Sequence, residues 1–298
     1  MFNFTLACVL HMHCVTLNAP ALVDAMQKTG FFDSVESYEF EDRNAKQQSE
    51  LIKTLVQQHQ CKKSDILFVL CGAHVWFAET DFPFVVMQLE QCSTPHFSPH
   101  YIQKMREARS VWDYSPLNIA WLAKKYNITC HHVPLLAKCD NQLKTEKTVD
   151  ILFAGAPNVR RENFLVATEN SMVTEKKTFV TRFFVKDHRQ YAAQLASAKI
   201  GFNVHYYSRS VLEIARIALL VANDVLVISE RSDDKILDAL FDDVLIFVDS
   251  PTEMAKSAMF FLENEQKRLQ KTAHAKANMK KKVDLSHQMM MSLFKVIK

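Results

Sequence analysis

Short apolar runs of strand length alternate with helical stretches along this chain, and that alternation restricts it to an α/β fold built on parallel sheets. Residues 4–10, 65–70, 84–89, 110–112 and 129–133 read as buried strands in the first half. A polar, Lys-rich lapse at 137–148 breaks the pattern, and a second series follows at 149–154, 179–185, 199–204, 225–228 and 244–248. From Pro251 the chain reads as helix, and 285–297 sets Met289, Met290, Leu293, Phe294 and Ile297 on one apolar stripe. With 298 residues there is enough chain for two cores of ordinary size. The expected organisation is a first domain over 1–140, a second over 141–270, and a helix at 271–298 that packs back onto the body.

Composition narrows the function classes. A 48% hydrophobic, 23% charged chain is an ordinary soluble globular protein, and a net charge of +3 gives no basis for expecting nucleic acid as a partner. Seven cysteines without a CxxC pair fit reduced thiols in the cytoplasm. Residues 1–15 are apolar but lack a basic n-region and contain His11 and His13, so no signal peptide is expected. No run approaches the roughly 20 apolar residues that span a bilayer. The four glycines, at 30, 72, 155 and 201, cannot spell GxGxxG or GxxxxGK[ST], which argues against a dinucleotide dehydrogenase or a P-loop ATPase. An Asp-x-Asp pair is also missing, so a pocket that works without metal and without a cofactor is expected.

Chemistry-bearing residues concentrate between 200 and 230. An apolar run ends at His205, a polar loop holds Tyr206, Tyr207, Ser208, Arg209 and Ser210, a helix with Glu213 and Arg216 follows, and another apolar run leads to Glu230. In open parallel sheets ligands bind at the carboxyl ends of strands, where helix N-termini offer N–H groups to phosphates. The segment therefore reads as half of a nucleotide pocket. Arg209 and Arg216 offer permanently charged, forked donors, although Arg216 also suits a surface ion pair. Ser210 and Glu213 equally fit a capping box. At 155–161, Gly155 permits close backbone approach, Asn158 can cap a helix, and Arg160 with Arg161 places positive charge at a strand end or forms a solvated pair. His205 could donate to an oxygen or simply be satisfied in a core, and Glu230 could touch a sugar or cap a helix. His74 beside Trp76, and Trp112 near Tyr114, offer polar and aromatic surfaces to a sugar ring or serve as core. The basic tract 267–282 reads as a solvated helix face, with a membrane surface or anionic glycan as the minority reading.

Certain of these residues carry a family resemblance. Gln88-Leu89-Glu90-Gln91, Val111-Trp112-Asp113-Tyr114-Ser115 before Asn118, and His132-Val133-Pro134-Leu135 lie in the first half. Phe153 to Arg161, Asn203-Val204-His205-Tyr206-Tyr207 and Leu212-Glu213-Ile214-Ala215-Arg216 lie in the second. In order and spacing the chain resembles, over roughly 65–262, the short glycosyltransferase-like proteins of bacteria and large DNA viruses, with the GT-B fold. That resemblance implies two Rossmann-like domains with parallel sheets facing across a cleft. It implies a donor nucleoside diphosphate sugar on the second domain, UDP-linked before GDP-linked, with Glu213 on the ribose hydroxyls and Arg209 and Ser210 at the diphosphate. The first domain would bind a glycan acceptor, around His74, Trp112 and Tyr114, and supply a general base. His13 is the first choice for that base, with His11, Glu90 and Asp113 in reserve, and inversion of configuration is favoured. The rival reading is a GT-B body that binds a sugar or nucleotide without turning it over; an epimerase is disfavoured by the missing glycine fingerprint.

Overall fold

A computed structural model describes residues 4–12, 19–40, 45–73, 75, 82–92, 94–134, 145–172, 181–183, 188–208 and 210–297. The chain divides into two compact units, Met1–Leu135 with Val283–Lys298, and Leu136–Lys282. The division falls at 135/136, just before the polar lapse at 137–148 and the expected boundary at 140. In the first unit the order is β1 (Leu6–Met12), α1 (Ala19–Gln27), β2 (Ser34–Phe40), α2 (Ala45–Gln58), β3 (Ile66–Cys71), β4 (Phe84–Gln88), α3 (Pro99–Glu107), β5 (Ser110–Asp113), α4 (Pro116–Tyr126) and β6 (Cys130–His132). In the second it is β7 (Val149–Ala154), α5 (Val159–Asn170), β8 (Thr181–Phe183), α6 (His188–Ser197), β9 (Ala198–Asn203), α7 (Ile214–Ala222), β10 (Leu226–Glu230), α8 (Lys235–Leu240), β11 (Ile246–Val248), α9 (Pro251–Glu263) and α10 (Glu265–Ile297), the end of which belongs to the first unit.

The sheets run β2-β1-β3-β4-β5-β6 and β11-β10-β9-β7-β8, and every pairing described is parallel. Parallel strands covered on both faces must be apolar throughout, and β3 and β4 are buried along their whole length. The polar edge strand β2, with sequence SVESYEF, was not among the expected strands, because its outer positions are exposed and break the apolar run. Three helices start at Ser-Pro: the hydroxyls of Ser98, Ser115 and Ser250 accept the N–H of Tyr101, Asn118 and Glu253, while proline occupies the first turn.

In the second unit the chain leaves β7 for the edge strand β8 and returns to β9 on the other side, so the topological switch point lies between β7 and β9. Gly201 in β9 brings α7 close, since a Cβ there would lie 2.8 Å from Leu220 Cδ1.

On the α10 stripe Met290 and Phe294 are buried, and the Phe294 ring stands 5.2 Å from Phe32 and 5.5 Å from Trp112. The basic tract is not wholly a solvated face, for Lys276 and Lys282 pair with Asp224 and Asp243 at 3.0 Å each. Cys8, Cys61, Cys71, Cys92 and Cys130 are free thiols. Among the described residues no helix is long and apolar enough to cross a membrane.

Candidate functional site

The carboxyl ends of β7, β9 and β10 bring the predicted residues of the second unit into one ionic network. Asn158 caps α5, accepting the Arg161 N–H at 2.8 Å, and its amide reaches the Tyr206 carbonyl at 2.7 Å. Arg160 then forks onto Glu230, with Nη1 to Oε2 at 3.0 Å and Nη2 to Oε1 at 2.6 Å. Its Nη1 also donates to the His205 carbonyl at 2.7 Å, while the His205 N–H donates to Glu230 Oε2 at 2.7 Å. The pair thus holds both polar groups of one backbone residue.

Glu213 is the centre of the remainder. Its Oε2 lies 2.9 Å from His205 Nδ1 and 3.5 Å from Arg216 Nη2, and its Oε1 lies 3.3 Å from Arg161 Nη2. No capping box forms: α7 begins at Ile214, Glu213 occupies the N-cap position without a side-chain cap bond, and Ser210 gives its N–H to Asp233 Oδ2 at 2.8 Å. Burial alone would raise the Glu213 carboxyl, but the charge and hydrogen bond of His205, with Arg216 and Arg161 behind them, bring it down to about 2. Burial pulls the Arg161 guanidinium down to about 10, helped by the neighbouring Arg216.

Arg161 and Arg216 are internal braces, which corrects the expectation that they reach a phosphate. Arg161 is 4% exposed, donates to the carbonyls of Val204 and Ala156 at 3.0 and 2.8 Å, and lies between the rings of Phe153 and Tyr206. Arg216 donates from Nη1 to the Ala154 carbonyl at 2.8 Å and from Nη2 to Asn203 Oδ1 at 2.6 Å. Gly155 is needed for space, since a Cβ would stand 2.6 Å from Arg216 Nη1. His205 is likewise internal, with Nε2 at 3.2 Å from the Arg231 carbonyl and 1% of its side chain exposed. Asn203, Asp233 and Tyr206 complete the network; Asn203 and Tyr206 lie in a stretch that carries the family resemblance, and Asp233 was not singled out from sequence. A polar Asn ending an apolar strand was a further signal for Asn203.

In the first unit Asp113 is fully buried and accepts from Gln88 Nε2 at 2.5 Å, the Ser115 N–H at 2.8 Å and Asn118 Nδ2 at 3.3 Å. It joins the turns after β4 and β5, which corrects its place among the reserve bases. Trp112 is also fully buried, packed on Phe294 with its N–H on Ser110 Oγ at 3.1 Å, and so offers no face to a sugar. Tyr114 is buried, with its carbonyl 3.0 Å from His132 Nε2. Glu90 keeps a partly exposed carboxylate at the end of β4, where Oε1 accepts the Ala73 N–H at 3.4 Å and Oε2 lies 3.9 Å from His96 Nε2. His11 is buried in β1. His13, His74, Trp76 and Arg209 lie outside the described residues.

A family model described as glycosyl transferase-like matches residues 143–293. Among curated proteins none is significantly similar to the chain. Among solved structures, sucrose-phosphate synthase of Thermosynechococcus elongatus matches with a TM-score of 0.66 at 10% identity, over 98% of this chain and 99% of its own. BGT of T4 phage, in complex with UDP-glucose, matches with 0.61 at 12% identity over 98% and 99%. TarM of S. aureus matches with 0.59 at 11% identity over 83% of this chain, which spans only 58% of TarM. These likenesses are of fold, two parallel α/β units of GT-B type, and the family match covers just over half of the sequence. The chain belongs to the glycosyl transferase-like family and has the GT-B fold.

Proposed function

We propose that this protein transfers a sugar from a nucleoside diphosphate sugar, UDP-linked before GDP-linked, to a hydroxyl of a glycan, in the cytoplasm and with inversion. The observation that carries the reading is Glu213, a carboxylate held ionised by His205, Arg161 and Arg216 beside the switch point of the second sheet. A carboxylate fixed in this way is a ready acceptor for ribose hydroxyls. The bound UDP-glucose of the phage T4 relative supports a UDP donor.

Charge developing on the departing diphosphate would be met by Arg160, whose side chain is 34% exposed, by Arg209, and by N–H groups at the start of α5. Guanidinium and helix dipole would then do the work that a metal ion does elsewhere. His13 and Glu90 are the candidate bases on the first unit, and His74 belongs to its acceptor surface. A non-catalytic donor-binding module is the rival, favoured by the closure of Asp113 within its turn.

The test is a thermal-shift panel of UDP, GDP, dTDP and CDP, followed by donor hydrolysis and transfer. A nucleotide at a hundredfold excess over its dissociation constant adds about 2.7 kcal/mol of stability, so the true donor base stands out. No shift with any nucleotide would refute the reading, and binding without hydrolysis or transfer would favour the module.

A further inference from the structure

His205 touches only acceptors. Its Nδ1 lies 2.9 Å from the Glu213 carboxylate and its Nε2 3.2 Å from the Arg231 carbonyl. A neutral imidazole has one N–H and can satisfy one of these partners, whereas the imidazolium satisfies both. Burial alone would discharge the ring, but the Glu213 carboxylate and then Glu230 outweigh it and hold the ring's pKa above the ordinary histidine value, with Arg160 opposing. Asp238, on α8, also lies within the field of the ring. Glu213, Glu230 and Asp238 therefore face His205 against Arg160, and Arg161 and Arg216 share the Glu213 carboxylate with the ring.

The two ring bonds lead to different loops. Glu213 stands at the start of α7, while Arg231 opens the loop between β10 and α8. Two residues on, Asp233 exchanges hydrogen bonds with Ser210, taking its N–H at 2.8 Å and donating to its carbonyl at 2.9 Å. A ring that has lost a proton presents a lone pair to either a carboxylate or a carbonyl and must give up one bond. The backbone from which the ring hangs is fixed, because Glu230 and Arg160 hold its N–H and carbonyl.

We infer that His205 is a positioning residue that works as a buried imidazolium: it ties Glu213 to the loop between β10 and α8, so that nucleotide binding requires the second N–H proton of this ring. The inference rests on the proposed nucleotide role of Glu213. If only the protonated form is competent, the apparent dissociation constant is the intrinsic one divided by the protonated fraction. Affinity is then level below the ring's midpoint and falls about tenfold per pH unit above it.

Two measurements on the full chain test this. In the first, the histidine ring resonances are titrated by NMR without nucleotide, with H205Q assigning the peak. The midpoint should lie above about 6.5 and drop in E213Q. A midpoint at or below that value, or one unmoved in E213Q, overturns the inference whether or not nucleotide binds. In the second, UDP affinity is measured by calorimetry across that midpoint. Wild type should lose about tenfold per unit above it, and H205Q should bind more weakly at every pH without that slope. A level wild-type profile overturns the inference and leaves the nucleotide reading standing; this arm needs no variant, so it decides even if H205Q does not fold. A ring that titrates as expected in a chain that binds no nucleoside diphosphate at any pH refutes the nucleotide reading, and the inference falls with it.

Discussion

Replacing Glu213 by Gln would remove the charge on which His205, Arg161 and Arg216 converge while leaving the side-chain volume unchanged. The Glu213 carboxyl titrates at about 2 in the folded protein against an ordinary 4.5, a difference of about 2.5 units. At roughly 1.4 kcal/mol per unit, the ionised carboxylate contributes about 3 kcal/mol to stability. The sign is that of a depressed acid: the contribution is complete above about pH 4.5 and is lost as pH falls toward about 2. E213Q should therefore be about 3 kcal/mol less stable than wild type at pH 7, a size that matches the removal of one partner from a buried ion pair. The difference between the two proteins should shrink as pH falls from 4.5 toward 2, because wild type loses by protonation what the variant already lacks. Urea melts of both proteins at pH 7, 5, 4 and 3 read this difference directly, and other carboxylates cancel in the subtraction. A gap below about 1 kcal/mol at pH 7, or one that stays constant down to pH 3, would refute the view that Glu213 is the counter-ion of the cluster.

Gly155→Ala would drive a methyl to 2.6 Å from Arg216 Nη1 and 3.1 Å from Phe153 Cζ, both in the buried brace. Overpacking of this kind costs about 1–3 kcal/mol, and nucleotide affinity should fall with it; a thermal melt unchanged from wild type would mean that Arg216 is free to move. Trp112→Ala should cost about 3–5 kcal/mol in chemical denaturation, because the ring is fully buried against Phe294. Normal stability with a raised acceptor KM would instead restore Trp112 to an acceptor surface.

The strands that were legible are those whose residues are buried on both faces, such as β3 and β4, since continuous burial writes a continuous apolar run. The polar edge strand β2 left no such run. At the site, residue types and their clustering were legible and their partners were not. Ser210 and Glu213 have the spacing of a capping box, yet the Ser210 backbone is bound by Asp233, 23 residues away, and the helix starts at Ile214. Arg161 and Arg216 look like phosphate ligands in a linear reading because their acceptors, the Val204 and Ala154 carbonyls, lie 43 and 62 positions away. Trp112 became core through Phe294, which returns from the far end of the chain.

These long-range partners also change what the cluster can do chemically. Three guanidinium groups and an imidazolium face two carboxylates, but Arg161, Arg216 and His205 are buried and already committed to protein acceptors. Under the proposed reading they do not compete for the diphosphate. Their effect is to keep Glu213 ionised and immobile before any ligand arrives, so that little reorganisation is needed when ribose hydroxyls bind there. Phosphate recognition then falls to groups with exposed donors, Arg160 among the described residues. Arg160 is itself forked onto Glu230, so a diphosphate must share or displace that carboxylate. The division of labour follows from burial: the dry cations fix a carboxylate, and the wetter one is placed to meet a charge that comes and goes.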